Sequence, residues 1–132
     1  MGMSGLFADA RSLCKYMRTE CLNYKYSFGE PMPASRLAVA LAEKHQWCTQ
    51  SYVRRPYGVG LLIASVDDSG PRLHETCPSG NFWEWRAQAI GARSQTAKTY
   101  LEKHFEEFPD SALLLLRCVA SHYCRGAVRS VS

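Results

Sequence analysis

The chain has 132 residues and a mass of 14.9 kDa, the size of one domain, and its 46% hydrophobic residues suffice for a packed core, which excludes a disordered chain. The net charge of +4 comes from 16 basic and 12 acidic residues dispersed without long runs, so we expect no nucleic-acid partner. No stretch reaches the roughly 18 apolar residues of a membrane span and the first residues do not form a signal peptide, which predicts an intracellular protein without membrane contact.

The first predicted element is an amphipathic helix from Phe7 to Cys21. Its apolar residues recur at spacings of three and four, which places them on one stripe. They are Ala10, Leu13, Cys14, Met17 and Cys21. Most of the charged residues of this segment fall elsewhere on the helix. The pattern therefore predicts a helix that lies on another layer of the protein.

A connector and a second helix follow. The segment from Asn23 to Pro33 mixes aromatic residues with glycine and proline, which predicts an ordered connector rather than a flexible linker. Ser35 is the expected N-cap of the second helix, which we expect to end near Trp47. The residues at helical spacing in this helix are Leu37, Ala38, Leu41, Ala42 and His45.

Three strands are predicted next, as an antiparallel meander. They span Tyr57 to Val66, Arg72 to Cys77 and Phe82 to Ile90. The first is a nearly continuous apolar run, which suits a strand buried on both faces. In the third, Trp83, Trp85, Ala87 and Ala89 alternate with polar residues. The turn before the third strand contains Gly80, which is available for a positive φ.

A third helix is predicted from Ser94 to Phe108, where Pro109 stops it. Its expected buried face carries Ala97, Tyr100, Leu101, His104, Phe105 and Phe108. The order is therefore two helices, three strands and one helix. Helices and strands grouped in this way predict an α+β fold, in which helices lie on an antiparallel sheet. The residues after Pro109, with the tetra-leucine run 113–116, show no clear period.

The cysteines and histidines give no metal site and no catalytic pair. None of the six cysteines forms a Cys-x-x-Cys pair, and Cys118, His122 and Cys124 lack a fourth ligand, so we predict no metal and no cofactor. His74 and Cys77 are three residues apart on a strand and should point to opposite faces. His45 and His104 have the spacing of packing residues.

Trp83 and Trp85 lie on one face of the third predicted strand. Two aromatic rings on one strand could stack bases, as in proteins that bind single-stranded nucleic acids. A buried face between two sheets is the favoured alternative for them.

Several short motifs resemble, in the same order, the α-type subunits of the proteasome core particle. They are Arg55-Pro56-Tyr57-Gly58, the turn Pro78-Ser79-Gly80 and the strand end Ala89-Ile90-Gly91. The segment from Ser4 to Arg11 is similar to the start of that family's first long helix. Thr76-Cys77-Pro78 and Ala92-Arg93-Ser94-Gln95 favour one branch of the family. The resemblance predicts a partial α-subunit domain over residues 1–108 and a divergent tail over residues 109–132.

The resemblance implies a fold, a role and a set of partners. The fold would be a four-layer αββα sandwich like that of the N-terminal-nucleophile hydrolases, present here as an incomplete copy. The role would be that of a non-catalytic structural subunit in ubiquitin-dependent protein degradation, in the cytoplasm and nucleus. The partners would be other α-type subunits in a hetero-heptameric ring, β-type subunits and, indirectly, the regulatory particle.

The threonines support the expectation that the chain is not an enzyme. The related β-type subunits use a processed N-terminal threonine, whose own amine acts as the base. The threonines of this chain are all internal, at positions 19, 49, 76, 96 and 99. Where active relatives read Gly-Ser-Gly before the third helix, this chain reads Gly91-Ala92-Arg93-Ser94-Gln95. We therefore expect no catalysis of this kind.

By the same resemblance, the connector between the first two helices is the candidate interface with the β ring. Its rigid and aromatic residues are of the kind that interface cores favour. They are Tyr24, Tyr26, Phe28, Pro31 and Pro33. The alternative, that these side chains cap the domain's own core, is equally open on the sequence.

Segments that other family members carry are missing from this sequence. Those members have a gating tail, a short helix and several strands before the segment that here begins at Gly5, and further elements after the third helix. A truncated paralogue that assembles into nothing is therefore the alternative expectation, because half a sandwich leaves a sheet face and strand edges uncovered.

Overall fold

A computed structural model describes residues 1–68 and 70–104. The elements in this part are β1 (Gly2–Gly5), α1 (Phe7–Phe28), α2 (Ala34–Gln50), β2 (Val59–Asp67), β3 (Gly70–Thr76), β4 (Phe82–Trp85) and α3 (Ser94–Lys103). Helices on an antiparallel sheet confirm the predicted α+β class. The predicted divergent tail, with Cys118, His122 and Cys124, lies outside the described residues.

The strands of the described part form one sheet in the order β1-β2-β3-β4, and all neighbours are antiparallel. The predicted meander is confirmed in β2, β3 and β4, whereas the sequence pattern does not predict β1. In β1, Gly2 pairs with Leu62 and Gly5 with Val59. Four residues with two glycines are too few to show a strand period, so this strand depends on its partner β2.

One face of the sheet carries α1 and α2. Side chains alternate along β2, so Leu61 and Ile63 point to the helices and Leu62 points to the other face. The main core cluster contains Met3, Ala10, Leu13, Met17, Leu37, Leu41, Val59, Leu61 and Ile63. This cluster joins the helical hairpin to the sheet and confirms the predicted layering of helices on strands.

The chain after β4 covers part of the opposite face. Ile90 packs with Leu62 and Leu73. The Gln88 side-chain amide donates a hydrogen bond to Glu75, with a distance of 2.8 Å between Nε2 and Oε2. Residues 86–91 therefore fold back across the sheet instead of prolonging β4.

β4 is shorter and more exposed than its alternation predicts. It ends at Trp85, not at Ile90. Trp83 and Trp85 keep 43% and 40% of their surface exposed, so the predicted burial of this face is incomplete in the described structure. Alternation extended past Trp85 because small residues at even spacing look the same in a strand and in a crossing segment.

α1 is longer than its apolar stripe predicts, because it ends at Phe28 and not at Cys21. Tyr24, Tyr26 and Phe28 therefore lie on the last two turns of a helix, which corrects their assignment to the connector. These turns are largely exposed, so they show no core-facing stripe. Gly29 ends the helix with a φ of 73°, and its N–H donates to the Lys25 carbonyl at 2.9 Å.

α2 begins one residue before the predicted N-cap. Its N-cap residue is Pro33, with a φ of −60°, so Ser35 lies inside the first turn and the predicted cap is wrong. The helix ends at Gln50, beyond the expected end near Trp47. The predicted stripe is confirmed, since Leu37, Ala38, Leu41, Ala42 and His45 are all buried.

β2 and α3 differ from prediction at their ends. β2 begins at Val59, which leaves Tyr57 in the preceding loop. α3 begins at Ser94 as predicted, and its buried Ala97 and Leu101 pack with Ala89. The predicted continuation of α3 to Phe108 lies beyond the described part of the chain. Tyr100 is exposed rather than buried, and its ring stacks on His104 at 4.1 Å between centroids.

Candidate protein interface

The α1–α2 hairpin ends in an exposed group of aromatic residues and prolines. We call this group the hairpin tip: Tyr24, Tyr26, Phe28, Pro31 and Pro33, the residues predicted as an interface. Tyr26 is 94% exposed and Phe28 60%, and both prolines are exposed. Tyr24 is half-buried. Burial in the domain's own core therefore describes at most Tyr24.

Contacts across the hairpin order the tip. The rings of Tyr24 and Phe28 are 4.5 Å apart between centroids and tilted by 33°. The Arg36 guanidinium of α2 lies 5.2 Å from the first ring and 5.8 Å from the second. Side chains that are ordered before binding lose less conformational entropy when they bind. The tip is thus a preorganised aromatic surface.

The base of the hairpin is held by a second group, which we call the Asp9 clamp: the Asp9 carboxylate, the Arg55 guanidinium and the Gly58 N–H. Arg55 donates from Nη1 to Oδ2 at 2.7 Å and from Nη2 to Oδ1 at 2.9 Å. The Gly58 N–H donates to Oδ2 at 3.0 Å. Asp9 is buried, and the hydrogen bonds from Arg55 and then Gly58 lower its pKa from 3.8 to about 2, against the opposing effect of burial.

The clamp explains two of the family-motif residues and adds one that the sequence reasoning did not select. Arg55 and Gly58 belong to the Arg55-Pro56-Tyr57-Gly58 motif, and the clamp joins them to the first turn of α1. Asp9 is 46 residues from Arg55 in the chain. The available signal was an acidic residue in a helix's first turn, where the helix dipole favours negative charge.

The Pro78-Ser79-Gly80 motif forms a tight turn against α2. The Cys77 N–H donates to the Asn81 carbonyl at 2.9 Å, and the Gly80 N–H donates to the Cys77 carbonyl at 3.0 Å. Gly80 has a φ of +92°, which confirms the predicted positive φ. A Cβ at this position would lie 3.1 Å from the Ala42 carbonyl oxygen and from Gln46 of α2. Only glycine therefore fits both the backbone conformation and the space.

Gly91, the last family-motif residue, also has a positive φ, of +115°. A Cβ on it would lie 3.5 Å from the Ser4 Oγ of β1, which is ordinary contact. The Ser94 N–H donates to the Gly91 carbonyl at 3.1 Å, so the residue forms the turn that leads into α3. The motif residues thus occupy structural positions and are not gathered into one reactive site.

His45 lies in the interface between α2 and the sheet. It is fully buried, and neither ring nitrogen has a hydrogen-bond partner of good geometry among the described residues. Its ring lies 5.4 Å from that of Tyr57. Burial lowers the pKa of His45 below 6.5, and the Pro78 carbonyl opposes this shift. The prediction of a packing residue is confirmed, but no strong hydrogen bond satisfies the ring.

The described residues do not present a reactive centre. They contain no group of three His, Cys, Asp or Glu side chains that could hold a metal ion. Burial raises the pKa of the Cys77 thiol, which opposes the formation of a nucleophilic thiolate, and His74 is buried in β3. Nor is any helix within residues 1–68 and 70–104 long and apolar enough to cross a membrane.

Comparison with known proteins places the fold in a class and then in a family. An α+β domain with a helical hairpin on an antiparallel sheet defines the class. The family described as "Proteasome subunit" matches residues 1–123, which is most of the chain. The chain belongs to the proteasome subunit family. The match includes residues after Pro109, whose structure lies outside the described part.

Individual relatives agree with this family and with the predicted branch. The chain is 56% identical over 113 residues to a proteasome subunit alpha type-1 of Dictyostelium discoideum, which covers 86% of this chain and 46% of the relative. It is 51% identical to an alpha type-1 subunit of Drosophila melanogaster, over 85% of this chain and 40% of the relative. A relative from Schizosaccharomyces pombe, named as a probable alpha type-6 subunit, is 47% identical over 85% of this chain and 41% of the relative. The chain thus spans less than half the length of these relatives.

Proposed function

We propose that the chain provides the central part of a non-catalytic α-ring subunit, and that its hairpin tip contacts β-type subunits. The observation that carries this proposal is the exposed and preorganised tip on a domain of the proteasome subunit family. Tyrosine and phenylalanine contribute large contact areas to interfaces at a small entropic cost. The other partners would be α-type subunits in a hetero-heptameric ring and, indirectly, the regulatory particle.

The proposed role within this assembly is structural, in ubiquitin-dependent protein degradation in the cytoplasm and nucleus. Subunits of the α type are in general the non-catalytic ones of the proteasome. The threonines of this chain support the same role for it. Thr76 is fully buried in β3, and the hydroxyls of Thr19, Thr49 and Thr99 donate to helix carbonyls. Each of these residues lies inside an element, where its nitrogen belongs to a peptide bond and cannot act as a free amine.

Co-expression with α- and β-type subunits tests the proposal. The expected result for the wild-type chain is co-migration with a ring complex on native gels and in size-exclusion chromatography with mass detection. Replacing Tyr26 and Phe28 together by alanine should weaken docking on β-type subunits at least tenfold. Val66→Ala, which truncates a side chain that is 66% exposed at the end of β2, is the matched control. Unchanged docking of the double variant would refute the role of the tip.

The same experiment addresses the alternative of a truncated paralogue that does not assemble. That alternative predicts a lone chain at low mass, sensitive to protease, in the presence of all partner subunits. Such a result for the wild-type chain would refute the proposed function as a whole.

A further inference from the structure

A second exposed surface lies at the other end of the hairpin. We call it the loop surface, and it consists of Trp47, Tyr52, Val53 and Arg54. Tyr52 is fully exposed, Val53 is 73% exposed and Trp47 56%. The Arg54 guanidinium lies 5.7 Å from the centre of the Trp47 ring. Aromatic and arginine side chains together at an exposed site are typical of the centres of protein interfaces.

The backbone of this loop is held at both ends. At its start, the Ser51 N–H donates to the Trp47 carbonyl at 3.1 Å, and the Val53 N–H donates to the Ser51 hydroxyl at 3.3 Å. At its end, the Asp9 clamp fixes Arg55 and Gly58. The exposed side chains therefore project from an anchored loop, which lowers the entropy lost on binding.

The charge of the loop surface indicates the chemistry of its partner. Residues 44–58 contain three basic residues and no acidic one, as the sequence from Lys44 to Gly58 shows. Asp9 neutralises Arg55, and Lys44 lies over the Tyr16 ring at 4.0 Å. Arg54 forms no ion pair within the described structure and contacts only an aromatic face. A partner with a carboxylate opposite Arg54 and an apolar patch opposite Tyr52 would complement both features.

The loop surface is too far from the hairpin tip to belong to the same contact. The two lie beyond opposite ends of α2, which has 17 residues and therefore a length of about 25 Å at about 1.5 Å per residue. Interfaces of ordinary size have one compact centre of buried aromatic residues. A second centre at this distance indicates a second partner.

We infer that the loop surface docks on an acidic and apolar surface of a neighbouring α-type subunit. The inference rests on the proposed function, because it assigns a second contact to the same ring subunit. In it, Tyr52 and Val53 enter the apolar patch, and Arg54 pairs with a carboxylate while its stem stays packed on Trp47. The Asp9 clamp holds the loop in place for this contact.

The test uses the whole chain with an affinity tag, co-expressed with α-type subunits of the same organism without β-type subunits. Capture of α-type subunits by the tagged chain is measured at about 50 and 500 mM salt, a range over which exposed charge pairs are progressively screened. Tyr52→Ala with Arg54→Glu should reduce capture at least tenfold, and Arg54→Glu alone should remove its salt dependence. Arg54→Lys, which keeps the charge, should retain most of the capture.

Controls separate the possible outcomes. Tyr26→Ala with Phe28→Ala should leave capture of α-type subunits intact, since that pair lies at the other end of the hairpin. Because Arg54 is exposed, its substitutions should leave the thermal unfolding midpoint unchanged. If the Tyr52 and Arg54 variants capture α-type subunits as the wild type does, the inference is wrong and the proposed function stands. If the wild-type chain captures no α-type or β-type subunit, both are wrong.

A single-stranded nucleic acid is the other ligand that Trp47, Tyr52 and Arg54 could stack on. Fluorescence anisotropy with a labelled 20-nucleotide poly(dT) tests this at about 150 mM salt. The inference expects no binding below micromolar dissociation constants. Tight binding that Arg54→Glu abolishes would overturn it in favour of nucleic-acid recognition.

Discussion

Arg55 donates two hydrogen bonds to Asp9 across 46 residues of chain, at 2.7 and 2.9 Å. This pair joins the first turn of α1 to the loop between α2 and β2, and the Gly58 N–H completes the set of donors to the carboxylate. The hairpin is thereby closed at its base, while its tip stays exposed. Both proposed contact surfaces depend on this geometry.

Asp9→Asn should destabilise the chain by roughly 1 to 3 kcal/mol, because a neutral amide loses the charge-assisted hydrogen bonds and leaves Arg55 without its partner. Urea unfolding followed by circular dichroism measures the effect. Asp68→Asn, at an exposed turn residue, is the matched control and should change stability by less than about 0.5 kcal/mol. Equal losses in the two variants would contradict a specific role for the clamp.

Asp9 should also make stability fall in strong acid. Its pKa is about 2 in the folded chain against an ordinary 3.8, so its contribution is complete above pH 3.8 and is lost as the pH falls toward 2. Urea titrations between pH 5 and 2 should show this loss in the wild type and a smaller loss in Asp9→Asn. A wild-type curve parallel to that of the variant would refute the assignment.

His45 should cause a separate loss of stability at milder acidity. Burial lowers its pKa below 6.5, so the neutral ring stabilises the fold above pH 6.5, and stability decreases as the pH falls below that value. His45→Phe keeps a ring beside Tyr57 and removes the titrating group. The variant should therefore lose less stability than the wild type between pH 7 and 5, as measured by thermal unfolding at each pH. Identical pH profiles would show that His45 is protonated at no cost in the fold.

Gly80→Ala should destabilise the chain more than Gly29→Ala. Both glycines have a positive φ, which costs an L-residue roughly 1 to 2 kcal/mol. A Cβ on Gly80 would also press on the α2 backbone, whereas one on Gly29 would meet nothing within 4 Å. Unfolding midpoints of the two variants measure the difference. Equal midpoints would mean that α2 moves aside freely at the turn.

Local patterns predicted the elements well where their residues face the core. The stripes of α1 and α2 and the apolar run of β2 follow from spacing alone, because burial on one or both faces imposes a period. The same patterns failed where that pressure is absent. The exposed last turns of α1 carry no stripe, and β4 ends at Trp85 although the alternation continues.

The candidate surfaces were only partly predictable. The aromatic composition of the hairpin tip was visible, but its exposure depends on how far α1 extends beyond the sheet. The loop surface combines Trp47 at a helix end with Tyr52 and Arg54 in a loop, and nothing in their spacing shows that the arginine lies over the indole ring. Side-chain positions in such a loop depend on hydrogen bonds at its two ends.

The sequence by itself determined the α+β class, the order of helices and strands after β1, the positive φ of Gly80 and the resemblance to the family. Each of these depends on residues that are close in the chain or on the identity of single residues. The tertiary structure alone decided the pairing of Asp9 with Arg55, the addition of β1 to the sheet and the exposure of Tyr26 and Tyr52. These depend on contacts between residues far apart in the chain, or on their absence, and local periodicity contains no information about either.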